Sequence, residues 1–413
     1  MTNIEQHLEQ LEDRGLYRRM RLISGPQGAR VLLDGKPVLV MCSNNYLGLA
    51  DHASVRDAAA DAATRWGVGS TGSRLISGNM TVHKRLESRL AEFKGTESAL
   101  LFGSGYLANA GVIPALARPG DVVFSDQLNH ASIIDGCRLS RAEVFVYDHC
   151  DMEHLAWGLR QARGRGSLIV TDSVFSMDGD VAPLEQIVQL ARDNDARIVV
   201  DEAHATGCVG PGGRGVVAEA GLTDDIDVIV GTLSKALGSY GGFAACDTQM
   251  ARYLLNSARS FIFSTSPAPP VVAAALAALE ILIEQPRRVE RLQQNTALLR
   301  GELAAQGFDV DERGLHIIPL VTGSAASAVA MAEHALERGV FAQAIRPPTV
   351  APELCRIRIA VMASHKRDEL CMAARVLASA AESAGFSNVT GFPGEFVAPE
   401  PQAPAIQIVA DAA

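Results

Sequence analysis

The residues that could do chemistry here are a lysine, two histidines, an aspartate and an arginine. Each lies on or just beyond a short apolar run. Lys235 stands in Gly231-Thr232-Leu233-Ser234-Lys235-Ala236-Leu237-Gly238, directly after the apolar run Asp227-Val228-Ile229-Val230. Set among small residues at a strand end, its ammonium group is expected to be short of water. Desolvation disfavours the charged form, and an uncharged amine is what Schiff-base formation needs. The plain alternative is a surface lysine on a strand-to-helix turn. Asp201 closes the run Ile198-Val199-Val200 and continues into Glu202-Ala203-His204. A carboxylate there is costly to bury unpaired, so it needs a cation, and a protonated pyridinium nitrogen would serve. Its alternative is a structural aspartate that caps the next helix. His204, three residues on, is placed to donate to a ring hydroxyl.

Gly103-Ser104-Gly105-Tyr106 lies between the apolar run Ala99 to Phe102 and a helical stretch that starts near Leu107. Glycines there let backbone N–H groups point at an anion, and the helix dipole adds to the attraction. A plain strand-to-helix turn is the competing reading. Gly67-Val68-Gly69-Ser70-Thr71-Gly72 matches the GxGxxG pattern of dinucleotide binding, but helix-like Ala58 to Trp66 precedes it where a strand is required. It is therefore rejected as a dinucleotide site, and a nicotinamide dehydrogenase with it. His130, in Leu128-Asn129-His130-Ala131-Ser132, follows the run Val122 to Phe124 and could stack on a flat ring at the same sheet edge. A structural role is its alternative. In Cys355-Arg356-Ile357-Arg358-Ile359, alternation puts Arg356 and Arg358 on one strand face. A guanidinium there could clamp a carboxylate through two parallel hydrogen bonds. A solvated strand face is the other reading, above all for Arg356. Amine, strand-end aspartate, ring-stacking histidine and phosphate cradle together are the equipment for pyridoxal 5′-phosphate.

The elements that must position these groups are legible from periodicity. Strand candidates at Ala99–Phe102, Val122–Phe124, Val144–Tyr147, Leu168–Thr171, Ile198–Val200, Val228–Val230 and Phe243–Ala245 alternate with helical stretches. That pattern predicts an α/β domain with a largely parallel sheet, whose ligands sit at the carboxyl ends of the strands. Ser176, Asp201, His204 and Lys235 fall there. The expected organisation is an N-terminal helix and hairpin over 1–52 and a large domain over 53–285. A smaller α/β domain follows over 286–386, then a Pro- and Ala-rich tail over 387–413. The helix is expected over residues 4–20, and the hairpin turns at Asp34-Gly35.

A chain of 413 residues suits two domains, and a net charge of −10 argues against nucleic acid or an anionic membrane as partner. The seven cysteines are odd in number and scattered, neither a disulfide framework nor a zinc ligand set. The nearest approach to a metal cluster is His149, Cys150 and His154, and no metal is expected. The start lacks a basic region followed by an apolar core, and Val271 to Ile283 is too short to span a bilayer. The expectation is a cytoplasmic protein without a signal peptide.

Several motifs, in order, resemble the α-oxoamine synthases, a branch of the fold-type I pyridoxal-phosphate transferases (aspartate aminotransferase-like). They are Ser43-Asn44-Asn45-Tyr46-Leu47-Gly48, Gly72-Ser73-Arg74-Leu75-Ile76-Ser77-Gly78-Asn79, Asn129-His130-Ala131-Ser132, Val174-Phe175-Ser176-Met177-Asp178-Gly179-Asp180, Asp201-Glu202-Ala203-His204 and Thr232-Leu233-Ser234-Lys235. The resemblance implies that Lys235 carries the Schiff base and moves the α-proton. It implies that Asp201 pairs with the pyridinium nitrogen, His204 contacts the ring oxygen and His130 stacks on the ring. Gly105, Tyr106 and Thr232 are implied to hold the cofactor and its phosphate, with Ser176 near the ring. Arg358 is implied to bind the amino-acid carboxylate, and Asn44 to line the site. Thr265, beside Ser264, is implied to reach the phosphate of a neighbouring subunit in a homodimer. The family reaction is a decarboxylating condensation of a small amino acid with an acyl thioester. Within the family, the stretch Gly72 to Asn79 is most similar to the biotin-pathway member. That member joins L-alanine to a pimeloyl thioester carried on coenzyme A or a carrier protein. Arg18, with Arg19 and Arg21 close by, is the candidate for the far pimeloyl carboxylate. Members that use glycine or serine are the alternatives, as is a regulator that binds the cofactor without catalysis. Such a regulator need not keep Lys235 and Arg358 together, and no basic DNA-binding segment is present.

Overall fold

Short apolar runs separated by helical stretches can close as parallel strands only through crossovers. The computed structural model, which describes residues 3–311 and 314–385, has this arrangement. The expectation attached to the tail 387–413 lies outside the described residues. In chain order the strands are β1 (Ile23–Ser24), β2 (Arg30–Leu33), β3 (Lys36–Val40), β4 (Ser98–Phe102), β5 (Val122–Asp126), β6 (Glu143–Tyr147) and β7 (Ser167–Asp172). They continue as β8 (Arg197–Asp201), β9 (Val228–Thr232), β10 (Gly242–Cys246), β11 (Ile317–Gly323), β12 (Val340–Phe341), β13 (Gln343–Ile345) and β14 (Cys355–Ala360). The chain divides into two compact units. The larger holds His52–Phe175 and Val181–Pro286; the smaller holds the residues up to Asp51, Ser176–Asp180 and the described residues from Arg287.

In the larger unit seven strands lie in the order β4-β10-β9-β8-β7-β5-β6. All run parallel except β10, which is antiparallel to β4 and to β9. Strands covered on both faces read as unbroken apolar runs, not as an alternation. Val123, Val170, Val199 and Val230 accordingly pack with Ala108, Val112 and Ile113 of the helix Gly105–Leu116. The polar residues are pushed to the ends of these strands. Asp126, Asp172, Asp201 and Thr232 are the last residues of β5, β7, β8 and β9. Close packing also dictates a residue beside them, Gly231, which faces Phe243 in register. A Cβ on Gly231 would come 2.3 Å from the Phe243 ring.

In the smaller unit the N-terminal hairpin turns through Asp34 at φ 49° and Gly35 at φ 79°, both left-handed as a tight hairpin requires. Its strands form the sheet β1-β2-β3-β12, where β12 joins β3 in parallel. A second, antiparallel sheet has the order β11-β14-β13. The first helix is shorter than its periodicity predicts, Ile4–Asp13 and not 4–20. Gly15 at φ 64° turns the chain, so Arg18, Arg19 and Arg21 stand beyond the helix. Among the described residues no single helix is long and apolar enough to cross a membrane.

His365, buried in this unit, gives a pH test of stability. Its Nδ1 accepts from Met362 N at 3.1 Å, and its Nε2 donates to Val40 O at 2.9 Å. Both bonds suit the neutral ring, and burial holds its pKa below the usual imidazole range. The unfolded chain takes up a proton as pH falls through about 6.5, whereas the folded form resists. Stability is therefore complete above that pH and declines below it, by up to about 1.4 kcal/mol per pH unit for one group. We expect the urea midpoint to fall between pH 8 and pH 5.5, and to fall less in His365→Gln. His83 and His130 are shifted the same way and keep part of the slope. An identical slope in parent and variant would remove His365 from the account.

Candidate active site

At the carboxyl edge of the larger sheet, Asp172 and Asp201 are cross-strand neighbours. Burial, and the Asp201 carboxylate beside it, push the Asp172 carboxyl well above the usual carboxylate range. Its Oδ2 accepts the backbone N–H of His130 at 2.7 Å. Asp201 is also buried, and both of its oxygens are occupied. Oδ1 accepts Ala203 N at 2.7 Å and Oδ2 accepts Asn109 Nδ2 at 2.6 Å. Asp201 therefore ties down a turn and does not cap a helix. The next residue, Glu202, forms a fully buried ion pair with Lys94 at 2.6 Å and also accepts Val217 N at 2.8 Å. That pair pins the chain between Asp201 and His204.

Lys235 follows β9 in a loop that returns into the antiparallel strand β10, so it is on neither a strand-to-helix turn nor a free surface. It is half-buried, less enclosed than its neighbours predict, and its Nζ lies 2.9 Å from His204 Nε2. His130 has the structural role of N-cap to the helix Ala131–Ser140, and it follows β5 at the sheet edge. Its Nδ1 is 2.8 Å from Ser132 Oγ and accepts Ser132 N at 3.2 Å. Burial, with a further contribution from Lys235, lowers its pKa against the opposing pull of Asp201.

The phosphate cradle has a physical basis in close backbone approach. A Cβ on Gly242 would come 2.4 Å from Ser104 C, so only glycine lets β10 pass so near the start of the helix Gly105–Leu116. Ser104 Oγ caps that helix by accepting Leu107 N at 3.1 Å. The N–H groups of its first turn have no intrahelical acceptor and suit an anion. Gly105 adjoins Thr232, whose Oγ1 lies 2.8 Å from Ser234 Oγ. Tyr106, by contrast, is 45% exposed with its hydroxyl on Asp135. Thr265 is exposed and bridges to Ser73, outside this network.

The smaller unit carries the arginines. Arg358 is buried; its Nε donates to Ser176 O, Nη1 to Asn44 Oδ1 at 3.2 Å and Nη2 to the Tyr46 hydroxyl at 3.3 Å. A guanidinium has five N–H donors. Those three bonds leave one on each terminal nitrogen, the fork that a carboxylate accepts. The solvated reading fails for Arg356, which is 3% exposed and bonded to Asp178 and to Met177 O. The face they share is covered by the segment Ser176–Asp180, a non-local packing that alternation cannot reveal. Arg18, Arg19 and Arg346 line a cavity of ≈ 360 Å³ together with Thr349 and Gln343–Ile345, with no acidic side chain on its wall. Burial, then the charge of Arg18, lowers the pKa of Arg346.

Of the three possible metal ligands, His154 is turned to Asp148 at 3.1 Å, and Asp126 takes its place beside His149 and Cys150. Cys150 Sγ lies 3.8 Å from His149 Nδ1 and 3.6 Å from Nε2. Such near-equal distances put the sulfur over the ring or its edge, off the lone-pair direction of either nitrogen. Nδ1 is also within 2.9 Å of Asp126 Oδ1, and Asp126 accepts Cys150 N and Leu128 N. The cluster is a hydrogen-bonded strut between β5 and the chain after β6. Asn109, Ser132 and Asp172 in the larger unit, and Tyr46 in the smaller, contact the candidate residues of their own unit and were not singled out from the sequence. Asn109 alone carries a local signal: a polar amide one helical turn after Gly105, in an otherwise apolar helix.

A family described as aminotransferase class I and II matches residues 36–377. The 8-amino-7-oxononanoate synthase of Citrifermentans bemidjiense is 50% identical over 389 residues, 93% of this chain and all of that protein. That of Geobacter metallireducens is 50% identical over 92% of this chain and 98% of its own length. Among solved structures, a serine palmitoyltransferase from S. paucimobilis with bound PLP–myriocin superposes with a TM-score of 0.88 at 31% identity. It covers 92% of this chain and 97% of that one. An 8-amino-7-oxononanoate synthase from Francisella tularensis gives 0.72 at 25% identity, over 84% of this chain and 98% of that one.

Proposed function

The chain belongs to the class I and II aminotransferase family, in its α-oxoamine synthase branch, and on that basis we propose that it makes 8-amino-7-oxononanoate for biotin synthesis. It is an acyltransferase that uses pyridoxal phosphate. L-alanine and a pimeloyl thioester join through a new carbon–carbon bond, the thiol leaves, and the alanine carboxyl departs as carbon dioxide. The observation that carries this reading is the 50% identity along the full length of a protein of that name.

The residues fit the cofactor. A lysine amine, a buried aspartate and a capped helix N-terminus on one sheet edge match its aldehyde, its pyridine nitrogen and its phosphate. When bound, it supplies a ring that takes up the electron pair left on the amino acid's α-carbon. Lys235 Nζ would hold its aldehyde carbon and then move the α-proton. Asp201 would keep the ring nitrogen protonated, because a carboxylate favours a cation held against it. His204 would donate to the ring oxygen, His130 would cover the ring face, and Ser176 would stand near its edge. Gly105, Thr232 and the backbone N–H of Tyr106 would surround the phosphate. Arg358, held by Asn44 and Tyr46, would bind the alanine carboxylate through its two remaining N–H groups. The cavity of Arg18, Arg19 and Arg346 would take the far pimeloyl carboxylate, since three cations and no acid line it.

The partner reading is a homodimer acting in the cytoplasm. Support comes from exposed apolar side chains on the larger unit, with Val68 at 79%, Ile76 at 84% and Phe263 at 71%. Thr265, two residues from Phe263, would then meet the other subunit's phosphate. The test is an assay of the PLP-loaded protein with alanine and pimeloyl-CoA, or a pimeloyl carrier protein. Glycine with acetyl-CoA and serine with palmitoyl-CoA serve as comparisons, and sedimentation gives the mass. We expect 8-amino-7-oxononanoate and carbon dioxide in equal amounts, from a species of twice the chain mass. Faster turnover of glycine or serine would move the protein to another branch, and a monomer that is fully active would remove the dimer.

A further inference from the structure

Asn109 occupies the interior of the helix Gly105–Leu116 and has no exposed surface. Asparagine is a poor choice there, because its amide competes with the helix backbone for hydrogen bonds. Its Nδ2 donates to Asp201 Oδ2 at 2.6 Å and to Ser132 Oγ at 2.9 Å. The opposite amide orientation would set Oδ1 against the Asp201 carboxylate, lone pair to lone pair, so the assignment follows from the network. The remaining atom, Oδ1, is buried without a hydrogen-bond partner. An orphaned acceptor in a helix interior is costly, and apolar residues would avoid it. What offsets that cost is the use of both hydrogens of one NH2 group.

Those two hydrogens reach two different parts of the candidate site. One holds Asp201. The other is accepted by Ser132 Oγ, which turns its own O–H toward His130 Nδ1, 2.8 Å away. Ser132 N also donates to that nitrogen, so Nδ1 is an acceptor twice over and the ring proton belongs on Nε2. We propose that Asn109 is a positioning residue: its side-chain amide orients the Asp201 carboxylate and, through Ser132, fixes the Nε2–H tautomer of His130. One amide thereby sets both the group under the pyridine nitrogen and the imidazole at the ring face. The inference rests on the reading that this pocket holds pyridoxal phosphate. The lowered pKa of His130 agrees with an imidazole that serves as an acceptor at Nδ1.

The test compares parent, Asn109→Ala, Asn109→Leu and Ser132→Ala, each reconstituted with pyridoxal phosphate. Three quantities are read besides activity: cofactor dissociation constant, the pH midpoint of the bound cofactor's visible absorbance, and 15N shifts of labelled histidine. Loss of the amide is expected to weaken cofactor binding by about tenfold or more, as one hydrogen bond to a charge is removed. The absorbance midpoint is expected to move by at least about half a pH unit, because Asp201 no longer sits where it best favours the ring proton. Ser132→Ala should keep cofactor binding within about threefold but weaken the Nε2–H preference of His130, which the backbone N–H of residue 132 then supports alone. Asn109→Leu keeps the side-chain volume, so a folded amide-free variant remains if alanine collapses the helix packing. A merely structural asparagine would lower thermal stability and leave the midpoint and the tautomer unmoved. That result, in a parent that loads cofactor normally, overturns this inference alone. A parent that takes up no cofactor overturns the functional reading and this inference with it.

Discussion

Lys235→Ala is expected to lower the condensation rate by about 10³-fold or more, because one amine is asked both to hold the cofactor and to move the α-proton. The fold should survive. Lys235 is half-buried in a loop whose shape is set by backbone bonds, from Leu233 N to Gly241 O and from Ser239 N to Leu233 O. Its side chain contributes the 2.9 Å contact to His204 Nε2, which water can replace at a half-exposed position. Circular dichroism and the thermal midpoint should therefore stay near those of the parent while turnover disappears. Borohydride should label the parent at Lys235 and leave the variant unlabelled. Retained condensation in the variant would sink the assignment of both roles.

Arg358→Lys is expected to raise KM for the amino acid by about 10- to 100-fold with a smaller effect on the acyl substrate, since an ammonium cannot present two parallel N–H groups to one carboxylate. The geometry explains why the conserved charge does not rescue binding. Three guanidinium N–H groups are already committed to Ser176 O, Asn44 Oδ1 and the Tyr46 hydroxyl, and they aim the remaining pair. A lysine must choose between those acceptors and the substrate. The same substitution should cost about 1–3 kcal/mol of stability through the acceptors it strands. Binding of an amino-acid ester, which cannot lose carbon dioxide and is therefore read as the change in the bound cofactor's absorbance, separates the two effects. If Arg358 binds the carboxylate, parent and variant should handle the ester alike, and a variant equally defective toward the ester would point to distortion of the pocket instead.

The local grammar of the chain carried most of the larger unit. Strands of five or six residues, each built on a short apolar run and ending in Asp126, Asp172, Asp201 or Thr232, have polar ends that cannot remain in the core, so the edge that bears chemistry follows from the runs themselves. The rejected glycine motif behaves as its context demands, since Gly67 ends the helix Ala53–Trp66 and follows no strand. Periodicity was a weaker guide in the smaller unit. It extended the first helix past Gly15, because charged and apolar residues continue to alternate after the backbone has turned. It also left open whether Arg356 faces solvent, because a strand's own pattern says which residues share a face and not what covers that face.

By itself the sequence determined the strands to within one or two residues of their ends, and the turn Gly103 to Tyr106 that leads into a helix, which begins at Gly105 and not near Leu107; each depends on neighbours within a few residues. Tertiary packing decided the partnerships. Asn109 meets Asp201 across 92 residues, Arg358 meets Asn44 across 314, and Lys94 meets Glu202 across 108. A buried charge or amide can be satisfied by any donor or acceptor of the right type, so residue type states that a partner is needed. Which residue answers is settled by the packing that brings distant segments of the chain side by side.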